Sequence, residues 1–120
     1  MNDLKKITIA VSSLPKNGWW NNGIVAYHDN DMMSNGAIPN QELLKKEHKH
    51  LIKILHKNSL NTMIIPFKPE LEVNKKYDFV FMRDHFLCNA NKDIVICNMK
   101  LSERMNEGEY VISTLKDLQY

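Results

Sequence analysis

The chain has 120 residues, of which 43% are hydrophobic and 25% are charged, which is enough for one modest core. We therefore expect a single domain over residues 1–120. The net charge is only +2, from 16 basic and 14 acidic side chains mixed along the sequence. This balance argues against a surface of one sign for nucleic acid or a membrane, so neither is expected as a partner.

The compartment is predicted from the apolar runs and the cysteines. The first residues, MNDLKKITIAVSS, hold too short an apolar run for a signal peptide, and no apolar stretch approaches the roughly 20 residues that span a bilayer. The two cysteines, Cys88 and Cys97, fit a reducing compartment, in which a buried thiol behaves as a small hydrophobe. We expect a cytoplasmic protein.

The first half of the chain predicts a strand, a long loop and a helix. Apolar and small polar residues alternate over residues 6–13, which is typical of a strand. Residues 13–40 hold three of the four glycines, and a loop of this length is usually functional or disordered. Asn40 can cap the next segment, residues 41–57, which has one apolar face and one lysine-rich face and is predicted to be a helix.

The second half predicts three strands and a last helix. A β-branched run predicts a strand over residues 61–66, followed by a polar connection over residues 68–76. Further strands are predicted over residues 78–83 and 93–99, the latter buried on both faces. Helical spacing of apolar residues indicates a helix over residues 103–117. The order strand, loop, helix, three strands and helix indicates an α/β fold.

One charged pair lies inside an apolar stretch, FMRDHFLC. An ideal strand here places Asp78 and Asp84 on the same face, one carboxylate at each end. A buried carboxylate is costly unless it is paired, whereas one in a cleft at the end of a strand can bind a cationic ligand. The alternative is that Arg83 and Asp84 are ordinary charges at a strand end, paired with neighbours such as Glu103 or Lys92.

These residues resemble the guanidine-modifying (pentein) superfamily of arginine deiminases, agmatine deiminases, amidinotransferases and dimethylarginine dimethylaminohydrolases. The family signature is an aromatic residue, one further residue, Arg or Glu, and Asp, with Arg-x-x-Glu later in the chain. The order of the upstream elements resembles the N-terminal part of the dimethylarginine hydrolases. The residues that carry the resemblance are Leu14, Pro15, Glu47, His48, Pro66, Phe81, Arg83, Asp84, Arg104 and Glu107.

The resemblance implies a substrate-binding set. Asp84 would bind the guanidinium group of the substrate, since a carboxylate accepts two bonds from that planar cation. Asp78 would contact the α-amino end and Arg104 the α-carboxylate, and Glu107 would orient Arg104 from behind. Arg83 is also assigned to substrate binding. It stands where deiminases have Arg and dimethylarginine hydrolases have Glu, so the subfamily stays open.

The resemblance also implies chemistry that these residues do not supply. The superfamily uses a nucleophilic cysteine and a histidine acid/base from later parts of a longer chain, so no catalytic residue is assigned here. Cys88 and Cys97 are interpreted as structural thiols. His85 could touch the substrate or be a surface residue at a strand end. No metal-ligand or phosphate-loop pattern is present in the sequence, so neither a metal nor a cofactor is expected.

Two functions follow from the resemblance. In the first, the chain is the N-terminal, substrate-recognition part of a cysteine-dependent hydrolase or amidinotransferase, with a partial, pentein-like α/β propeller of ββαβ-type modules. In the second, it is a non-catalytic module that binds an arginine-like ligand or another protein. The expected partners are a small guanidino substrate and a second chain, or a second copy, that completes the fold. The loop over residues 14–36 is a candidate lid over the ligand.

Overall fold

The structure is a computed structural model that describes residues 7–20 and 28–118. Helices and strands alternate irregularly along this part of the chain. In chain order they are β1 (Thr8–Ser12), α1 (Asp31–Ser34), α2 (Gln41–Lys57), β2 (Asn61–Ile65), α3 (Pro69–Val73), β3 (Phe86–Cys88), β4 (Ile94–Ile96) and α4 (Glu107–Asp117).

The β1, α2 and β2 elements form one crossover unit. The two strands are parallel and pair from Thr8 with Asn61 to Ser12 with Ile65. Parallel neighbours need a long connection, and α2 provides its helical part. The Asn40 side chain accepts a hydrogen bond from the backbone N–H of Leu43 at 3.0 Å, which caps the helix as predicted. The helix predicted over residues 41–57 is confirmed, and the strands predicted over residues 6–13 and 61–66 are present as Thr8–Ser12 and Asn61–Ile65. Residue 6 lies outside the described residues.

The strand predicted over residues 78–83 is wrong. This stretch forms two consecutive 3₁₀ turns, Tyr77–Val80 and Met82–Asp84. Their backbone bonds are local: the N–H of Phe81 donates to the carbonyl of Asp78 at 3.0 Å, and the N–H of Asp84 donates to that of Phe81 at 3.1 Å. We call the two turns together the 3₁₀ segment.

The hairpin of β3 and β4 corrects two further expectations. The strands are antiparallel, with Phe86 opposite Ile96, and Cys88 lies at the end of β3. The strand predicted over residues 93–99 shrinks to three residues, and Val95 is 64% exposed. Burial on both faces is therefore wrong, because a two-stranded hairpin packs one face on the core and leaves the other to solvent.

The last helix begins later than predicted. Residues 103–117 divide into a 3₁₀ turn at Ser102–Arg104, a break, and α4. The break is at Asn106, whose φ of 70° is left-handed and cannot continue a right-handed helix. The connection over residues 68–76 also contains the short helix α3, in which Pro69 lies in the first turn, where a proline is tolerated.

The core lies where β1 and β2, the 3₁₀ segment and α4 meet. Its buried residues are Trp20, Met33, Ile65, Phe67, Leu71, Tyr77, Phe79, Met82, Val111 and Leu115. The described residues thus form a mixed helix and strand arrangement with two two-stranded sheets, neither of which closes on itself. Among them, no helix is both long enough and apolar enough to cross a bilayer.

Candidate functional site

The side chain of Arg104 is at the centre of a polar cluster. Its Nε donates to Oε2 of Glu107 at 2.9 Å, its Nη1 donates to Oδ2 of Asp84 at 3.0 Å, and its Nη2 donates to the backbone carbonyl of Asp78 at 3.1 Å. Each nitrogen of the guanidinium thus has a different acceptor, and the side chain is only 12% exposed. We call Asp78, Asp84, Arg104 and Glu107 the Arg104 cluster.

Two backbone segments, the 3₁₀ segment and the start of α4, supply the three acidic residues of the cluster. The 3₁₀ segment carries both aspartates, so that one contributes a carbonyl and the other a carboxylate. Glu107 is the first residue of α4, where the helix dipole favours a negative charge. A Cβ on the next residue, Gly108, would lie 2.7 Å from Cγ2 of Ile96, so only glycine lets the helix start this close to the hairpin. This contact holds Glu107 next to the start of β3.

His85 directly precedes β3, and it is completely buried. Its Nδ1 is 3.3 Å from the carbonyl of Met82, its Nε2 is 3.6 Å from Oε2 of Glu107, and its ring centroid is 4.8 Å from that of Phe79. The 3.6 Å separation is longer than a hydrogen bond. The interpretation of His85 as a surface residue at a strand end is therefore wrong, since it lies behind the cluster in the core.

The signal that could have located His85 is the spacing of the buried residues. Phe79, Met82 and His85 are all buried and lie three residues apart. A 3₁₀ helix has three residues per turn, so this spacing places their side chains on one side. The two-residue alternation of a strand would explain the burial of Tyr77 and Phe79 only.

The cluster has more negative than positive charge. Two of its three carboxylates, those of Asp84 and Glu107, bond to the partly buried guanidinium of Arg104. The second arginine near Asp84, Arg83, is 94% exposed, and its Nε is 3.6 Å from Oδ1 of Asp84. Burial raises the pKa of Asp78. The positive charge of Arg104 opposes that shift, whereas the negative charges of Glu107 and of other nearby aspartates add to it.

The pKa of Arg104 depends on the same neighbouring charges. Burial alone would lower this pKa, but the hydrogen bond to Asp84 and the charge and hydrogen bond of Glu107 outweigh burial and raise it. Arg104 therefore stays charged. In the described part of the chain, Oε1 of Glu107 is buried and has no hydrogen-bond partner, so the acceptor capacity of the cluster is not exhausted.

The structure brings together four of the five residues in the predicted binding set. Asp78, Asp84, Arg104 and Glu107 form the cluster, and the expected contact between Glu107 and Arg104 is present. Arg83 lies outside it and points to solvent. Their roles towards a substrate stay predictions. Asp84 and Arg104, assigned to opposite ends of a ligand, contact each other directly.

Other candidate residues lie around this cluster. Trp19 packs edge-on against Phe81 at 5.8 Å between ring centroids, and its Nε1 donates to the carbonyl of Tyr77 at 3.0 Å. One end of the predicted lid is thus attached to the 3₁₀ segment, while residues 21–27 of that lid lie outside the described residues. The thiols of Cys88 and Cys97 are free, and the described residues include no group of three side chains that could hold a metal.

Comparison with known proteins gives one match. A family model described as "N,N dimethylarginine dimethylhydrolase, eukaryotic" matches residues 21–120. That range includes the 3₁₀ segment, the hairpin and α4, and therefore the whole Arg104 cluster. No curated protein and no solved structure gives a significant match.

Proposed function

This chain belongs to the N,N-dimethylarginine dimethylhydrolase family, and from that premise we propose that it is the guanidinium-recognition part of a hydrolase acting on arginine or an arginine derivative. In this proposal Asp84 binds the guanidinium of the substrate. The partial α/β propeller and the assignment of Asp78 and Arg104 to the amino-acid end of the ligand belong to the same proposal.

The observation that supports it best is that Asp84 already binds a guanidinium. Its Oδ2 accepts from Nη1 of Arg104 at 3.0 Å, within the range for a charge-assisted hydrogen bond. The Asp84 side chain is 32% exposed, compared with 12% for Arg104 and 0% for Glu107, so a ligand cation can reach this carboxylate from solvent.

The proposed chemistry is hydrolysis of a carbon–nitrogen bond. A thiolate attacks the guanidinium carbon, the amine leaves with a proton, and water then breaks the new carbon–sulfur bond to give the ureido group of citrulline and regenerate the thiol. Neither thiol in the described residues is hydrogen-bonded to a histidine. The proposal therefore takes the nucleophilic cysteine and the histidine from outside these 120 residues, in a longer chain or a partner.

The first test is binding by an Asp84→Asn variant. The amide keeps the shape of the side chain but loses its charge and donates where the carboxylate accepts, so we expect affinity for L-arginine and methylated arginine to fall at least tenfold. Isothermal titration calorimetry measures this. Asp117→Asn is the matched control, because Asp117 is exposed at the other end of α4, about 15 Å along its axis from Glu107. Equal binding by wild type and Asp84→Asn would exclude the proposed role.

The second candidate is a module that binds an arginine-like ligand without catalysis. The two candidates differ in turnover. The protein recovered from its source cells, with any partner retained, should release citrulline from arginine or a methylated arginine if the hydrolase proposal holds. Binding that depends on Asp84, combined with no citrulline from that material, would favour the module instead.

A further inference from the structure

Lys76 and Arg104 are two cations that each bond to the backbone of the segment carrying the other. Nζ of Lys76, the residue just before the 3₁₀ segment, donates to the carbonyl of Glu103 at 2.7 Å and to that of Met105 at 2.8 Å. These two carbonyls flank Arg104 in the chain. In return, Nη2 of Arg104 donates to the carbonyl of Asp78, inside the 3₁₀ segment, at 3.1 Å. The two segments are thus joined in both directions, across residues 26 to 29 positions apart.

The backbone of Lys76 is itself held at both of its polar groups. Its N–H donates to the carbonyl of Leu71 at 2.8 Å, and its carbonyl accepts from the N–H of Phe79 at 3.1 Å. Leu71 and Phe79 are both completely buried in the core. The ammonium therefore extends from a fixed point, and its short, charge-assisted bonds fix the carbonyls that it contacts.

These bonds of Lys76 determine position more than stability. Both lie at the surface, so water can replace the ammonium and neither carbonyl would be left without a donor. Water cannot hold the two segments at a set distance, however. The turn that carries Arg104 is only three residues long, and the left-handed Asn106 separates it from α4. Its placement therefore depends on contacts with other segments.

We propose that Lys76 is a positioning residue for the Arg104 cluster: it fixes the turn that carries Arg104 and, through Arg104, the carboxylate of Asp84. Arg104 bonds to Oδ2 of Asp84. Oδ1 has no hydrogen bond among the described residues, since Nε of Arg83 is 3.6 Å away. A carboxylate held by one oxygen presents the other in a set direction, in which the guanidinium of a ligand can donate to it. This last step rests on the proposed function of Asp84.

The first test is the mobility of the Arg104 side chain in Lys76→Met. Exchange of its Nε–H with heavy water, followed by NMR, reports how often the bond to Glu107 opens, and the amides in the middle of α2 serve as the reference. We expect the Arg104 exchange rate to rise about fivefold or more, while the reference amides and the thermal unfolding midpoint stay near their wild-type values. A merely structural role of Lys76 would change all three together.

Lys75→Met is the matched control, because it removes the same charge from the exposed neighbouring residue. Its effect on the Arg104 exchange rate should stay below about twofold, since the charge of an exposed side chain is strongly screened. The second test is the affinity for L-arginine, measured by isothermal titration calorimetry. It should fall about threefold or more in Lys76→Met and stay unchanged in Lys75→Met, because a less ordered site must be fixed when the ligand binds.

Circular dichroism shows whether Lys76→Met folds. If it does not, Lys76→Gln keeps a neutral donor on a shorter side chain and should change the exchange rate in the same direction. An unchanged Arg104 exchange rate in a folded variant, or an equal change in Lys75→Met, overturns the inference. Faster exchange with unchanged arginine affinity, while Asp84→Asn abolishes binding, overturns the link from Lys76 to the ligand and leaves the proposed function standing. Binding unaffected by Asp84→Asn overturns the proposed function, and the exchange rate then still decides whether Lys76 positions Arg104.

Discussion

At the scale of single residues, Asp78 makes the stability of the folded chain depend on pH. Its raised pKa means that the folded chain holds this proton more tightly than the unfolded chain does. As pH rises from the ordinary aspartate value of about 3.9 through the raised value, the folded state loses stability from this group. The charged form of Asp78 is therefore destabilising at neutral pH.

Asp78→Asn should remove this loss. We expect the free energy of unfolding of the variant, relative to wild type, to increase as pH rises from 4 to 7, because asparagine does not titrate. Urea unfolding at several pH values measures the difference, and Asp117→Asn should follow wild type. A constant or shrinking difference would contradict the assignment.

Glu107 should matter more for stability than any exposed acid on its helix. It is completely buried between Arg104 and His85, and its loss removes the hydrogen bond to Arg104 Nε while the bond from Arg104 to Asp84 remains. We expect Glu107→Ala to cost about 1.5–3 kcal/mol of unfolding free energy, the range for a hydrogen bond to a charged group. Glu109→Ala, an exposed position in the same turn, should change it by less than about 0.5 kcal/mol. Similar values for the two would show that the pair contributes little.

At the scale of elements, Gly18 allows the first loop to contact the start of α2. Gly18 has a φ of 94°, and a Cβ there would lie 2.8 Å from Cδ of Gln41. The Gln41 side chain accepts from the N–H of Trp19 at 3.0 Å and donates to its carbonyl at 2.8 Å. The left-handed backbone and the close contact both require glycine.

Gly18→Ala should therefore destabilise the protein by about 1–3 kcal/mol. Thermal unfolding checks the value. Gly36→Ala is the control, since its φ of 74° imposes the same backbone strain while a Cβ there meets nothing within 4 Å. Gly18→Ala should cost more than Gly36→Ala, and equal costs would mean that the Gln41 contact adds nothing.

The elements also show where sequence patterns succeed. α2 was predictable over its full length because a 17-residue amphipathic pattern with a capping asparagine repeats its signal over several turns. The 3₁₀ segment was not, because a short apolar run fits more than one period. Its conformation depends on neighbouring elements. β1 already pairs with β2, and the segment makes local backbone hydrogen bonds instead of joining a sheet.

The same distinction applies to the site. The motif order grouped Asp78, Asp84, Arg104 and Glu107, which lie together in the structure, and the spacing predicted the contact between Arg104 and Glu107. It could not show that Asp84 pairs with Arg104, because those residues are 20 positions apart and meet only in the folded chain. The burial of His85 likewise depends on how the hairpin and α4 pack, which no local pattern encodes.

At the scale of the whole molecule, the outer face of the hairpin is apolar. Leu87 and Val95 are cross-strand partners, exposed by 66% and 64%, and the hairpin has no further strand beside it in the described residues. Exposed apolar strand surfaces promote association. This supports the proposal that a second chain or a second copy covers the fold.

We therefore expect the isolated chain to associate as its concentration rises, and Leu87→Lys with Val95→Glu to shift it towards the 14.0 kDa monomer. Analytical ultracentrifugation measures the masses. The double change keeps the net charge and pairs opposite charges across the strands. The control is Val73→Lys, which places a charge on an apolar side chain that is 79% exposed but belongs to α3. Equal effects of both substitutions would mean that association is not specific to the hairpin.

One backbone hydrogen bond beside the hairpin reports on the interior of the site. The N–H of Cys97 donates to the carbonyl of His85 at 2.8 Å, so the amide hydrogen of Cys97 is shielded only while these two segments stay together. Its exchange with deuterium in heavy water therefore reports how often the segments separate next to His85. Because β3 begins at the following residue and Ile96 rests on Gly108, that exchange rate also measures how rigidly the hairpin and α4 hold Glu107 beside Arg104.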